Sequence, residues 1–455
     1  MSVHLHTLPQ ALRARLQRQL ADQFTDFEAS LSADPPVSIR LNPGKPLPQR
    51  TYDSFVPWCS QGRYLPSRPN FTKDPLFHAG TYYVQEASSM FLAHVFQEIL
   101  DLSKDMRVLD LSAAPGGKST LIQSMISQNS LLVANEIISS RNNTLRQNLT
   151  RWGGDNHIVT QSDPRFFSKL PEYFDVILVD APCSGEGLIR KDPSAASQWA
   201  EDKVEMCASR QRRILADIVP ALAPGGVLIY STCTYSEAEN EENMRWLLLE
   251  SQLELIDLPV PDSWGVCMQE NNSPGYRFYP HCLSGEGFFI ATFKKSGAAS
   301  DRYEQRRGAL RQIHFNNATV NDTAWLTTPA RYKFFMRDEQ RIAIPSSLTD
   351  QLQDIADTLR ITAAGLNMGK VYHKVLKPSP ELALSQHISS SIPRIDLDME
   401  SALDFLAHIT LAIDPNIEPG RYLVCHGGYG LGWLHKLKTG QIRNNYPSAW
   451  RILKR

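Results

Sequence analysis

The chain has 455 residues, 42% of them hydrophobic and 21% charged, with a net charge of −1 and no low-complexity tract. That length points to two to four domains rather than one core, and no stretch reaches the ~18 apolar residues of a membrane span. Seven cysteines without a CxxC pair argue against a disulfide framework or a zinc site and for reduced thiols.

Leu12-Arg-Ala-Arg-Leu-Gln-Arg-Gln-Leu20 is Arg-rich enough to suggest a transit peptide, but Asp22, Asp26 and Glu28 follow at once. An amphipathic surface helix over 8–23 is the better reading, and no apolar signal core precedes a small-residue cleavage site, so a cytoplasmic protein is expected. Ser38-Ile-Arg-Leu-Asn-Pro-Gly44 and the Pro- and aromatic-rich 56–82 read as loops and short strands, and 86–100 as a helix.

From 106 the pattern becomes regular. Strands are expected at Met106–Leu111, Leu131–Asn135, His157–Gln161, 174–179 and 226–231, separated by helices to about 127, at 139–151 and at 203–222. Such alternation describes an α/β fold whose parallel sheet is covered on both faces. Ser236-Glu-Ala-Glu239 has the form of a capping box opening a helix to about 250, and Gly287–Phe293 reads as a late strand. A small, polar linker is expected at 295–305, then a mixed segment, a Pro/Ser-rich stretch near 377–393, and a β-rich module with Gly turns around Arg421–Cys425 and Gly430–Leu434.

Charge is unevenly spread. Residues 421–455 carry Arg421, Lys436, Lys438, Arg443, Arg451, Lys454 and Arg455 with no Asp or Glu, and 302–341 holds eight basic residues against four acidic. Basic regions in a neutral whole suit a local polyanion contact, although a solubilising surface has the same composition.

The strand ending at Asp110 runs into Ser112-Ala113-Ala114-Pro115-Gly116-Gly117-Lys118 and a helix. This is a turn that brings backbone N–H groups to a ligand, with glycine where the backbone must approach closely. It is neither a P-loop, because no Gly stands five residues before Gly117, where Ser112 lies, nor GxGxxG. Glu136 closes the second strand twenty residues after Gly116, where a carboxylate can accept both ribose hydroxyls of an adenosine cofactor. Asp163, past the third strand, is placed to bond the adenine amino group, or is simply a strand-end carboxylate. Together they fit S-adenosylmethionine better than NAD, since no pyrophosphate site is built.

Two cysteines follow strand ends: Cys183 in Asp180-Ala-Pro-Cys-Ser-Gly-Glu-Gly187 and Cys233 in Tyr230-Ser-Thr-Cys-Thr234. Ligands of open α/β sheets bind outside the carboxyl ends of the strands, so both thiols can face one pocket. Cytosine C5 is too weak a nucleophile to attack a methyl sulfonium unaided. A thiolate adding to C6, an acid at N3 and a base for the C5 proton overcome this. Asp180 and the two thiols meet those needs, and the dipole of a helix capped at Ser236 would lower the pKa of Cys233. Cys59, Cys207, Cys267, Cys282 and Cys425 read as small buried residues.

Leu109-Asp-Leu-Ser-Ala-Ala-Pro-Gly-Gly-Lys118, Asn135-Glu136, Asp180–Gly187, Arg190-Lys-Asp-Pro193 and Ser231-Thr-Cys-Thr234, five motifs in order over about 125 residues, resemble the series of the Sun-family RNA cytosine-5 methyltransferases. Tyr83-Val-Gln-Glu-Ala-Ser-Ser-Met90 resembles that family's lead-in. Gly430-Leu-Gly-Trp433 and Asn444-Asn-Tyr-Pro447 are similar to the PUA-like end of its RsmF branch, which acts on small-subunit ribosomal RNA.

The resemblance implies a Rossmann-like class I S-adenosylmethionine-dependent methyltransferase sheet. A small N-terminal α+β region precedes it and a β-rich PUA-like C-terminal module follows. The expected divisions are an RNA-binding lead-in over 1–90, a catalytic domain over 91–296, an intermediate domain over 305–392 and an RNA-binding module over 393–455. It also implies that Cys233 is the nucleophile, that Cys183 assists product release and that Asp180 contacts the base. Ser112 to Lys118, Glu136, Asp163 and Asp180 hold the cofactor in this reading, with Lys118 alternatively on RNA phosphate or covering the sheet edge. Arg190 and Lys191 grip RNA or belong to a solvated loop. The expected partner is ribosomal RNA, free or in the assembled small subunit, with no metal, no membrane and a monomeric chain. The competing readings are a transfer-RNA methyltransferase, a non-catalytic RNA-binding assembly factor and a thiol redox protein.

Overall fold

The computed structural model describes residues 8–47, 54–268, 275–297, 313–317, 319, 324–373 and 375–453. Most of the expected linker, the basic residues Arg302, Arg306, Arg307 and Arg311, and the terminal Lys454 and Arg455 lie outside these.

The apolar, β-branched runs become β1 (Arg107–Asp110), β2 (Leu131–Asn135), β3 (His157–Thr160), β4 (Phe174–Asp180) and β5 (Leu222–Thr232), parallel to one another. β6 (Tyr276–Phe278) and β7 (Phe288–Lys295) complete the sheet as antiparallel strands beside β5. An eighth strand, β8 (Ile361–Ala364), from the expected intermediate domain, pairs antiparallel with β3. Across this ten-stranded sheet these eight run β6-β7-β5-β4-β1-β2-β3-β8, with Cys267–Met268 paired outside β6 and Leu253–Leu255 paired with β7.

Successive side chains of a strand point to opposite faces, and the two main cores divide accordingly. Leu109, Val133, Ile177, Val179, Leu228 and Tyr230 pack with Leu215 and Met244 on one face. Val108, Leu132, Val176, Leu178 and Ile229 pack with Leu121, Ile122, Leu145 and Leu149 on the other. The helices Glu201–Ile218 and Glu241–Glu250 therefore cover the first face, and Gly117–Met125 and Ser139–Trp152 the second. Chain order reverses between β1 and β4, which opens a crevice at their carboxyl ends.

Before this domain, Val37–Leu41, Ser54–Val56, Cys59–Leu65 and Tyr82–Val84 form an antiparallel sheet. The preceding helices Gln10–Leu20 and Phe24–Ser30 bury Leu12, Leu16 and Phe27 against Tyr235 and Tyr279. After it, Tyr332–Arg337 and Gln340–Pro345 form a hairpin in a second small sheet. A final sheet holds Arg394–Asp396, Gly420–His426, Tyr429–Lys436 and Ile442–Asn444. There Gly427 and Gly428 make the turn at positive φ, while Gly430 lies within a strand, where a Cβ would sit 2.1 Å from the Ala383 carbonyl oxygen.

Arg277 on β6 forms a bidentate pair with Glu241 at 2.6 and 2.5 Å, both side chains almost wholly buried, and donates to the Tyr235 carbonyl at 2.9 Å. Removing one member of such a pair strands a buried charge. Arg277→Ala is expected to cost about 3–5 kcal/mol in urea unfolding, whereas the paired change Arg277→Met with Glu241→Leu should cost far less.

Candidate active site

β4 and β5 end in register, Asp180 opposite Ser231, and the Ala181 N–H donates to the Ser231 carbonyl at 2.8 Å. The chain continues three residues to Cys183 on one side and two to Cys233 on the other. Their sulfurs lie 3.1 Å apart, both free and partly exposed. The hydrogen bond to Cys233 and burial push the Cys183 thiol well up.

Glu239 holds the two loops together. Its carboxylate accepts from the Ser184 N–H at 2.9 Å, the Ser184 hydroxyl at 2.5 Å, the Thr234 hydroxyl at 3.2 Å and Gln211 Nε2 at 2.9 Å. Gln211 also donates to the Pro182 carbonyl, and the Gly187 N–H donates to the Cys233 carbonyl at 2.9 Å. Burial raises the Glu239 pKa against the bonds from Ser184 and Gln211.

This arrangement overturns the expected capping box. The helix begins at Glu241, not Ser236, with Asn240 at its N-cap and no side-chain cap. Ser236 Oγ is buried without a partner, and the Ser236 N–H donates to Thr234 Oγ1 at 3.2 Å, not to the Glu239 carboxylate, which is committed to Ser184, Thr234 and Gln211. The helix start is thus eight residues beyond Cys233, and the expected helix capped at Ser236 is not formed.

Asp180 uses both carboxylate oxygens: Lys118 Nζ lies 2.8 Å from one, and Ser231 donates to the other at 2.7 Å. Burial would lower the Lys118 pKa, but the Asp180 charge and hydrogen bond outweigh it and the pKa is raised. Lys118 also lies 5.1 Å over the Phe288 ring. Lys118 therefore sits between the cofactor loop and the thiol site.

Ser112, Ala113, Ala114, Pro115, Gly117, Lys118 and Asp180 line a cavity of about 170 Å³. Gly116 caps the helix that follows at φ +113°, a conformation open to glycine, with Leu145 3.3 Å from any added Cβ. Asp110, which sequence reasoning passed over as a strand end, lines the same cavity. It accepts from Ser119 at 2.6 Å, and its other oxygen is buried without a partner. Farther along this edge, buried Glu136 accepts from the Ile138 N–H at 2.9 Å. Its second oxygen lacks a hydrogen bond and lies 3.4 Å from Arg141. Asp163 caps the short turn Pro164–Lys169 through the Arg165 N–H. The unpartnered Asp110 oxygen beside the loop, and at the end of β2 the Glu136 oxygen that has only the Arg141 ion pair, fit a ligand with an amino group at one end and ribose hydroxyls at the other. Among the described residues, no group of three or more His, Cys, Asp or Glu is placed to hold a metal, and no helix is long and apolar enough to cross a membrane.

Two expectations change. Arg190 is buried, bonds Glu286 through Nε and Nη2 at 3.0 Å and the Gly285 carbonyl at 2.6 Å, so it ties its loop to the approach to β7 and does not grip RNA. Cys59, Cys207 and Cys425 are buried, but Cys267 and Cys282 are partly exposed, with sulfurs 3.9 Å apart.

The sheet order, the glycine loop after β1 and the strand-end acids define a Rossmann-like methyltransferase. Family models agree along the chain: the N-terminal domain of 16S rRNA methyltransferase RsmF matches 8–87, 16S rRNA methyltransferase RsmB/F matches 97–294, and the methyltransferase RsmF PUA domain matches 392–452. Ribosomal RNA small subunit methyltransferase F of Serratia proteamaculans is 30% identical over 86% of this chain and 83% of its own length. The protein of that name from Erwinia tasmaniensis is 28% identical over 96% of each. A solved methyltransferase homologue from Pyrococcus horikoshii superposes with a TM-score of 0.53 at 28% identity, covering 63% of this chain and all of that one. The chain belongs to the RsmF family of 16S rRNA methyltransferases, within the Sun group.

Burial, offset partly by Ser119, raises the Asp110 pKa to about 7. From about pH 4 to pH 7 the folded chain holds a proton that the unfolded chain lacks, so this contribution to stability is present in acid and lost as pH rises. Asp110→Asn is expected to melt higher than the parent at pH 8 and no higher at pH 4, measured by thermal denaturation without cofactor.

Proposed function

We propose that this chain methylates C5 of a cytosine in 16S ribosomal RNA, with Cys233 as nucleophile. The observation that carries this reading is the pair of sulfurs 3.1 Å apart, one strand away from the Lys118–Asp180 ion pair. Bound S-adenosylmethionine supplies an electrophilic methyl group. Ser112 to Gly117 hold it by close backbone approach. Asp110 would accept from its amino group, Glu136 from its ribose hydroxyls and Asp163 from the adenine amino group.

The flipped cytosine enters between Asp180 and the thiols. Cys233 adds to C6, forming a C–S bond, while N3 takes a proton delivered through the Lys118–Asp180 pair, so C5 gains enamine character. After C5 takes the methyl group, a water molecule takes the C5 proton, the C–S bond to C6 breaks with Cys233 leaving as thiolate, and N3 returns its proton through the Lys118–Asp180 pair, which restores the neutral ring. Cys183, held protonated beside Cys233, assists this release. Its raised pKa supports the division of labour, because the thiol that keeps its proton is the poorer nucleophile.

The proposed division is a lead-in over 1–90, a catalytic domain over 91–296, an intermediate segment over 305–392 and an RNA-binding module over 393–455. The protein acts in the cytoplasm as a monomer, on free ribosomal RNA or the assembled small subunit. The flanking modules supply salt-sensitive RNA affinity.

Incubation with labelled cofactor and 30S particles, naked 16S RNA or transfer RNA tests the substrate. Label confined to transfer RNA overturns it. Cys233→Ala should lose at least about 1,000-fold in turnover, and retained turnover overturns the mechanism. Cys183→Ala should accumulate a covalent protein–RNA adduct on denaturing gels. Glu239→Ala should lower kcat about 100-fold through displaced thiols with cofactor affinity unchanged, and Glu239→Gln should recover part of it.

A further inference from the structure

A second cavity, of about 520 Å³, lies behind the cofactor loop between the N-terminal sheet and the helix Ser139–Trp152. Its walls include Phe71, Phe77, Tyr82 and Tyr83, and two cations, Arg68 and Arg151, reach it; no Asp or Glu lines it. Arg68 lies 5.6 Å over Phe71, and Arg151 lies 5.5 Å over Phe77 and 5.8 Å over Trp450. Among the described residues neither guanidinium has a carboxylate partner, and Arg151 Nε is buried with no hydrogen bond at all. A mostly buried cation without a counter-charge is costly to keep unless a ligand supplies the missing anion.

Tyr83 connects this cavity to the chemistry. It lines both this cavity and the cofactor cavity, its ring stands 3.4 Å from where a Cβ of Gly117 would be, and its hydroxyl meets Asn148 Nδ2 at 3.4 Å. Asn148 also donates to the Pro115 carbonyl at 2.8 Å, so the far side of this wall is the cofactor loop itself.

We propose that this cavity binds one nucleotide of the substrate RNA outside the target cytosine, its base against the Phe71–Phe77 aromatic wall and its phosphate on Arg68 and Arg151. The inference rests on the RNA-methyltransferase reading and adds a subsite to it. Aromatic faces with unpaired arginines are how single-stranded RNA is held, because every base has a π face and every linkage a charge. A peptide or an acidic protein surface would engage the arginines but leave the aromatic wall unused. The site would help choose the target by requiring a second unstacked nucleotide within reach of the first.

The test measures binding of unmodified 16S RNA transcript by full-length protein, separately from methyl transfer. Arg68→Ala with Arg151→Gln should weaken RNA binding about tenfold and flatten the log–log salt dependence by about 0.7 per lost phosphate contact. Phe77→Leu should weaken binding about fivefold with the salt slope unchanged, as expected for lost stacking. Cofactor affinity should not change in either variant. Transcript carrying 4-thiouridine should photo-crosslink to the peptide spanning Arg68 to Tyr83.

Folded variants with parental RNA affinity and salt slope, or crosslinks that avoid this peptide, overturn the proposal. Should the arginine variant misfold, Phe77→Leu and the crosslink decide the matter. Parental protein that binds RNA through this cavity yet methylates none overturns the functional reading and leaves the subsite standing.

Discussion

Everything at the thiol site depends on the coupling of two loops that are fifty residues apart in the chain. The in-register ends of β4 and β5 bring the loops side by side, but strand register alone does not bring two sulfurs to contact distance. Glu239 does, by taking Ser184 from one loop and Thr234 from the other onto one buried carboxylate. Such a group is costly to bury and is retained where its hydrogen bonds are complete. Its geometry is therefore all-or-none.

The same logic extends outward. Glu186, in the Cys183 loop, pairs with Arg15 of the N-terminal helix, and Trp199 donates to its other oxygen at 2.8 Å. Tyr235, just past Cys233, stacks on Tyr279 at 5.4 Å and meets Phe27 edge-on at 5.2 Å. The N-terminal helices thus act as a brace on the thiol loops, and Arg190 with Glu286 fixes the far side of the same loop. Arg190, which looks from sequence like an RNA contact, is here spent on rigidity.

How much was legible follows a physical division. β2, a continuous apolar run, is found at the expected residues, because burial on both faces demands such a run. The cofactor loop was readable because close backbone approach requires glycine, and the cysteines because a thiol after a strand end is a local feature. The Ser236–Glu239 capping box misled because its residues satisfy a local rule that long-range partners override. Arg190 misled for the same reason, as its partner Glu286 is ninety-six residues away. Asp110 was visible as a carboxylate at a strand end, but its orphaned oxygen is a tertiary fact.

By itself the sequence determined the α/β class, the positions of the parallel strands, the glycine turn after β1 and the two thiols that follow strand ends, since all of these rest on periodicity and on residue chemistry. Only the tertiary structure decided which polar groups are spent on one another and which stay open. It decided that β8 comes from beyond the linker to extend the catalytic sheet, that Lys118 belongs to Asp180, and that Arg151 faces an aromatic cavity without a counter-charge. The reason is that pairing between charges depends on distance through space, and a single chain read in order carries no measure of it.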